Sequence, residues 1–209
     1  MSNIPSLDPE RTPAKRWWVE KLARRLPLID VLREDREVHG GLNHPGCQVI
    51  VLHRLANWAQ QPTSPTALRR TVGPLARLGL ALTKTMYGIE LPAEVTLGRR
   101  VRIVHQNGIV IHPDVVIEDD VLIRQNVTIG LRGDNDEAEP HAVPVIRSGA
   151  SFGAGAVAVG PIEIGENALV GANAVVTRDV PADGKAVAAP TRVEGPPDRR
   201  PVLRGIVGG

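Results

Sequence analysis

Of the chemistry-bearing side chains in this 209-residue chain, its six histidines are the groups able to move a proton near neutral pH, and two of them sit where the sequence breaks its own regularity. His105 lies in the turn His105-Gln106-Asn107-Gly108, two residues past Ile103. His141 lies in a polar stretch, GLRGDNDEAEPHAVPV, running from Gly130 to Val145. An imidazole near its ordinary pKa can take the proton of an attacking hydroxyl, and such transfer contributes ~10²–10⁴ in rate. From the residue alone, His105 reads better as a surface histidine on a turn. His112, in IHPD, reads as a corner residue, and His53, inside a helical stretch, as a packed one. Grouping His105, His112 and His141 as ligands of one metal ion does not match the ligand spacing of known zinc sites, so no metal is expected. Asp134, Asp136, Glu137 and Glu139 lack the spacing of an EF-hand calcium loop and read as a solvated loop. The single cysteine, Cys47, excludes an internal disulfide, fits a reducing compartment and is expected to be buried rather than nucleophilic.

The elements that must hold these residues are written in a six-residue beat. Isoleucine recurs at Ile111, Ile117, Ile123 and Ile129, and the beat resumes at Ile146, Phe152, Ala158, Ile164, Val170 and Val176. Upstream it runs through Leu91, Leu97, Ile103 and Ile109. Four residues after most beats comes a second small apolar residue, among them Val95, Val101, Val115, Val121, Val127, Ala150, Ala156, Ala168 and Ala174. A period of six fits neither a helix nor a simple strand alternation, and it signals a solenoid whose repeats become stable only by stacking. Three hexads close one triangular coil, so the pattern predicts a parallel β-helix of four to five coils. One Phe and one Tyr, with all three Trp before residue 60, agree with a narrow coil interior. The beat slips by two residues between Ile109 and Ile111 and leaves the coil altogether in an excursion over 131–145.

Residues 1–88 form a helical segment. Trp17, Trp18 and Leu22 lead into Leu26, Pro27 interrupts, and a second helix follows over 28–38. A third is expected from about Gln48 to Gln60, and a fourth over Thr66 to Tyr87, bent at Gly73-Pro74 and ended by Gly88. The β-helix occupies 89–194, and 195–209 form a flexible tail. A formal net charge of +2 gives no electrostatic case for nucleic acid. The opening residues lack the apolar core of a signal peptide, and no run is long enough for an integral membrane segment, so a cytoplasmic location is expected.

GIELPAEVTLGRRVRIVHQNGIVI, then VTIGLRG, a histidine-bearing loop, PVIRSGASFGAGA and AAPTRVEG resemble the serine acetyltransferase branch of the hexapeptide-repeat acyltransferases. The likeness covers about residues 30–195 and is closer still to the colanic-acid-type exopolysaccharide acetyltransferases. It implies a left-handed β-helix, acetyl-CoA as co-substrate, a homotrimer that could pair into a hexamer, and direct acetyl transfer to an alcohol. It makes His105 the general base, Glu90 its acidic partner and His141 a second active-site histidine. It assigns Gly130, Ala154, Gly155 and Arg192 to the cofactor. Four positions depart from the serine-using pattern. Glu90 replaces an Asp, Val104 an Asp and Pro140 an Arg, while Leu131 replaces the second glycine of a pair. Counting back from Ile146 also puts the second histidine's position on Val143. The missing charges at Val104 and Pro140 favour a sugar hydroxyl as acceptor over L-serine, which stays the alternative. A three-histidine metal site between subunits, as in γ-class carbonic anhydrases, is the remaining one.

Overall fold

The computed structural model describes residues 27–133 and 142–189. Helices α1 (Leu28–His39), α2 (Pro45–Gln60) and α3 (Thr66–Tyr87) precede a run of two- and three-residue strands. The helix expected around Trp17, the acidic excursion residues, Pro140, His141 and Arg192 lie outside the described residues. The helix ends follow local chemistry. Gly40 and Gly88 cap α1 and α3 in the left-handed conformation, at φ +73° and +62°. Pro45 opens α2, because proline's missing N–H costs nothing in a first turn. That start lies three residues earlier than expected and places Cys47 inside the helix, fully buried.

The strands stack into three parallel sheets. The first holds β1 (Ile89–Glu90), β4 (Ile109–Ile111), β7 (Thr128–Gly130), β10 (Val157–Val159) and β13 (Val175–Val176). The second holds β2 (Thr96–Leu97), β5 (Val116–Ile117), β8 (Val145–Ile146) and β11 (Glu163–Ile164). The third holds β3 (Arg102–Ile103), β6 (Leu122–Ile123), β9 (Ser151–Phe152), β12 (Leu169–Val170) and β14 (Lys185–Ala186). Strands pair with the strand three further along the chain, except that β12 pairs with β14, so the chain winds a three-sided parallel β-helix. Every beat residue from Leu91 to Val176 faces inward and is buried, Phe152 among them.

Register locates the two irregularities. Phe152 pairs with Val170 and Ile111 with Ile129, eighteen residues apart, whereas Leu97 pairs with Ile117 and Ile103 with Ile123, twenty apart. The first coil is therefore two residues too long. The slip read from the sequence between Ile109 and Ile111 is not there: both lie in β4 and point inward on either side of exposed Val110. Ile103 and Ile109 are joined by five residues, Val104 to Gly108, where Ile123 and Val127 in the next coil are joined by three. The surplus pair belongs to the His105 turn. The excursion also rejoins the coil sooner than expected, because Val143 is buried in the core and Val145 already pairs with Val116.

The helices close the open end of this prism. Strands β1, β2 and β3 are the outer members of their sheets, and their unpaired backbone groups need partners. Asn57 Nδ2 donates to the Ala93 carbonyl at 3.0 Å and His53 Nε2 to that of Val95 at 3.2 Å. Arg54 donates to the carbonyls of Leu97 and Gly98 while its Nε meets buried Asp35 at 2.9 Å. Helix α2 thus spends His53, Arg54 and Asn57, on adjacent turns, on one coil edge. Arg99 pairs with Glu34 of α1, whose carboxyl it holds below the usual range.

Burial pushes His53 down from 6.5 to about 3, and it lowers His39 as well. An unfolded chain protonates the His53 ring below about pH 6.5 while the folded one keeps it neutral down to about 3. The stability this ring contributes is therefore complete above about pH 6.5 and is lost, at about 1.4 kcal/mol per unit, as pH falls toward the folded value, and His39 adds to the loss in the same direction. The urea midpoint should drop by the equivalent of about 2 kcal/mol for His53 between about pH 7 and 5, and His53→Gln should flatten that slope. A midpoint constant over this range would contradict the assignment.

Candidate active site

The prism has three edges, and the sequence-selected residues distribute among them unevenly. The edge between the third and first sheets is built of the corners 104–108, 124–126, 153–155 and 171–173. Backbone bonds run along it: Asn126 N–H to the Asn107 carbonyl at 2.9 Å, Gly155 N–H to Gln125 at 3.0 Å, and Asn173 N–H to Ala154 at 2.9 Å. His105, Ala154 and Gly155 accordingly share one edge. Val187, near the end of the described chain, reaches it too, lying against Gly171.

A normal corner here spends one residue in the left-handed region, such as Asn126 at φ 60° or Asn173 at φ 56°. The His105 turn spends three: His105 at 59°, Asn107 at 108° and Gly108 at 65°. The extra pair bulges outward, so that His105, Gln106, Asn107 and Gly108 are all exposed. Left-handed dihedrals on non-glycine residues cost about 1–3 kcal/mol each and persist only where the surroundings over-determine them. Here the supports are visible. The Ile109 N–H donates to the Gly88 carbonyl at 3.0 Å, and a Cβ on Gly88 would come within 2.4 Å of Asn107 Oδ1. On the other flank Val104 N–H donates to Ile123 at 3.0 Å. Among the described residues the His105 ring makes no hydrogen bond.

Glu90 is brought to the same end of the molecule. It follows Gly88 by two residues and stands in register beside Val110, on the outward face of the first sheet. Its carboxylate meets Lys84 Nζ at 2.8 Å in this structure rather than the imidazole. Val104 is half-buried next to the imidazole-bearing residue. Gly130 is not on this edge. It ends β7 at the edge between the first and second sheets, where its absent Cβ would touch His112 at 3.4 Å. Within one chain, the whole width of the first sheet separates it from Ala154 and Gly155. The same separation parts His105 from His112, whose Nδ1 accepts the Asp114 N–H at 3.2 Å. Position 143, matched to the second histidine by counting, faces the core.

At the corners 153–155 and 171–173, small residues leave backbone uncovered. Ala154 is half-buried, and a Cβ on Gly155, at φ +70°, would collide with Asn173 Oδ1 at 2.3 Å. An extended ligand laid along these corners would meet main chain rather than bulky side chains. One residue here escaped the sequence reading. Gln125, one coil beyond His105 on this edge, keeps Oε1 buried without a hydrogen-bond partner among the described residues. Its only advance signal was an occupied corner position beside the turn.

No family model matches the chain. It is 35% identical over 167 residues to the serine acetyltransferase of Synechococcus elongatus, covering 78% of this chain and 64% of that protein, so it spans just under two thirds of that relative's length. It is 35% identical over 162 residues, 77% of this chain and 97% of the relative, to the Escherichia coli K12 protein named "Putative colanic acid biosynthesis acetyltransferase WcaB". Among solved structures, the serine acetyltransferase of Brucella abortus strain S19 in complex with coenzyme A superposes with a TM-score of 0.64 at 25% identity, over 83% of this chain and 70% of that one.

Proposed function

Since the chain belongs to the serine acetyltransferase branch of the hexapeptide-repeat acyltransferases, we propose that it carries acetyl from acetyl-CoA to an alcohol hydroxyl, most fittingly that of a sugar in a polysaccharide or its precursor. The observation that carries this reading is the two-residue bulge that lifts His105 out of a corner shared with the Ala154-Gly155 backbone. The β-helix is taken as left-handed, as in the family, with the division into a helical segment 1–88, a coil 89–194 and a tail 195–209.

In this reaction His105 takes the proton of the acceptor hydroxyl as its oxygen attacks the thioester carbonyl. The tetrahedral intermediate collapses, the carbon–sulfur bond breaks, and the imidazolium returns the proton to the departing thiolate. The products are an acetyl ester and free CoA. Glu90 would turn from Lys84 toward the ring to steady the imidazolium, and His141 would line the acceptor side. Small residues at Ala154 and Gly155 would let the pantetheine arm lie against the backbone. Gly130 and the Arg192 guanidinium would complete the cofactor site.

The site is read as shared between subunits of a homotrimer. Gly130 and Ala154 stand on opposite edges of one chain's first sheet. Between them runs an outward column of Val110, Thr128, Val157 and Val175 in mutual register, with Val110 43% and Val175 67% exposed. A neighbour covering this column would bring one chain's Gly130 side to another's His105 side. Two trimers could pair through the uncovered stripe of α3, where Leu68, Leu75, Leu78, Leu82 and Met86 are exposed.

L-serine acetylation is supported as directly by the relatives' names, so the acceptor rests on Val104. An amino acid's ammonium and carboxylate need charged partners when desolvated, and losing one typically costs ~2–5 kcal/mol. A half-buried valine supplies none.

His105→Ala should lower turnover ~10²–10⁴-fold and leave acetyl-CoA affinity unchanged. Retention of more than about a tenth of turnover would assign the base elsewhere. With CoA release as readout, sugars should exceed L-serine as acceptors by about a hundredfold, the kinetic equivalent of about 3 kcal/mol. Robust O-acetylserine formation at millimolar serine would promote the alternative. In light scattering the chain should have a trimer's mass, or a multiple of it, and Val110→Asp with Val175→Asp should reduce it to a monomer's. A monomeric wild type at micromolar concentration would refute the shared site.

A further inference from the structure

Strand β3, which runs straight into the His105 turn, is an outer strand of its sheet, and the Ile103 N–H on that open edge has no strand to pair with. It is met by a side chain from sixty-four residues earlier: Ile103 N–H donates to His39 Nε2 at 3.2 Å. A backbone amide can only donate, so Nε2 must be unprotonated. The other ring nitrogen, Nδ1, stands 2.7 Å from the Asp35 carbonyl, which can only accept, so Nδ1 carries the proton. Both contacts require one neutral tautomer. The ring is 9% exposed at the end of α1, and Asp35 is itself fixed by Arg54. On the same open edge Gly46 of α2 comes so close that a Cβ there would lie 2.1 Å from the Ile103 carbonyl oxygen. The helical cap thus bonds the Ile103 N–H and packs closely on its carbonyl, two residues before His105.

We propose that His39 is a positioning residue for the reaction: through its Nε2 acceptor it fixes Ile103 and with it the aim of the two-residue bulge that presents His105. The inference rests on His105 being the base. A turn with three left-handed residues relaxes if one of its anchors is released, and a displacement near 1 Å at a reacting group can cost ~10²-fold in rate. Asn57, which satisfies the Ala93 carbonyl on the same coil edge away from the turn, supplies the comparison. It belongs to the cap but has no path to His105 through Ile103.

The test is CoA release from acetyl-CoA by the full chain, with methyl galactoside and L-serine as acceptors, for His39→Leu, His39→Gln, Asn57→Ala and His105→Ala, each accompanied by a melting curve. His39→Leu should lose at least about tenfold in kcat with KM for acetyl-CoA unchanged. His39→Gln, whose amide oxygen can reach the Nε2 position, should return to within about threefold of wild type. Asn57→Ala should lose stability and keep kcat. If His39→Leu does not fold, His39→Asn, too short to reach Ile103, replaces it. Nitrogen NMR of the wild-type imidazoles should show His39 as the Nδ1-protonated tautomer. Wild-type kcat in the folded leucine or asparagine variant, failure of glutamine to rescue, or an equal kcat loss in Asn57→Ala would each overturn the proposal. If His105→Ala keeps its turnover, the base assignment falls and this inference falls with it; if only the His39 variants are unaffected, the base assignment stands.

Discussion

A parallel solenoid leaves a row of unpaired backbone groups at each end, and what satisfies them at the first coil decides much of the rest of this molecule. The answer here is a set of side chains from two helices: His39 of α1, and His53, Arg54 and Asn57 of α2, spread along Ala93, Val95, Leu97, Gly98 and Ile103. Each bond contributes only about 0.5–1.5 kcal/mol net, but each carbonyl or amide left bare in a buried seam would cost about 1–3 kcal/mol. The cap therefore works mainly by preventing penalties, which makes it intolerant of single losses. Asp35 shows the same asymmetry. It is fully buried against Arg54, and removing either partner would strand a charge, typically at about 3–5 kcal/mol.

That cap also explains how the coil can carry two extra residues without losing register. Two surplus residues within a strand would keep the alternation of faces but slide every later residue past its partner in the next coil. At a corner, surplus residues can leave the prism while the flanking strands keep their pairing. Ile103 still meets Ile123, and Ile111 still meets Ile129. The bulge must then be held from outside the coil, since the first coil has no predecessor to stack on. His39, Gly46 and the Gly88 end of α3 do this, so helices and turn form one mechanical unit.

The part of the fold legible in the sequence was the part set by periodic burial. Every beat residue from Leu91 to Val176 is inward because a narrow prism admits only one kind of side chain at those positions. The slip was misplaced because Ile109 and Ile111 both face inward, so the repeated isoleucine looks like the site of the surplus when it is only the place where counting restarts. His105 was singled out on resemblance and stands on that bulge. Its supports were not legible. His39 and Ile103 are sixty-four residues apart, and no local pattern announces a histidine accepting from a strand edge. His53 was expected to pack, and it does, but its hydrogen bond to Val95 depends on a distant coil edge. Glu90 was matched by counting, yet its rotamer answers to Lys84, a contact that depends on how α3 meets β1.

The three edges of the prism differ in how much of their chemistry is already spent. Between the second and third sheets the corners consume their own charge: Arg100 meets Asp120 at 2.6 Å, and Arg147 joins Glu118 at 2.8 Å while also reaching Glu163. Fields there close on themselves, and a ligand would have to break ion pairs to enter. Between the first and second sheets the coil is interrupted by the excursion after Gly133. On the remaining edge, small residues and asparagines leave main chain exposed, Gln125 holds an unpaired buried oxygen, and His105 presents a ring with no bond to surrender among the described residues. A base that must accept a proton works best where nothing already competes for its lone pair. Charge paired off on one edge thus contrasts with uncommitted polar groups on the His105 edge, which suits the proton transfer proposed there.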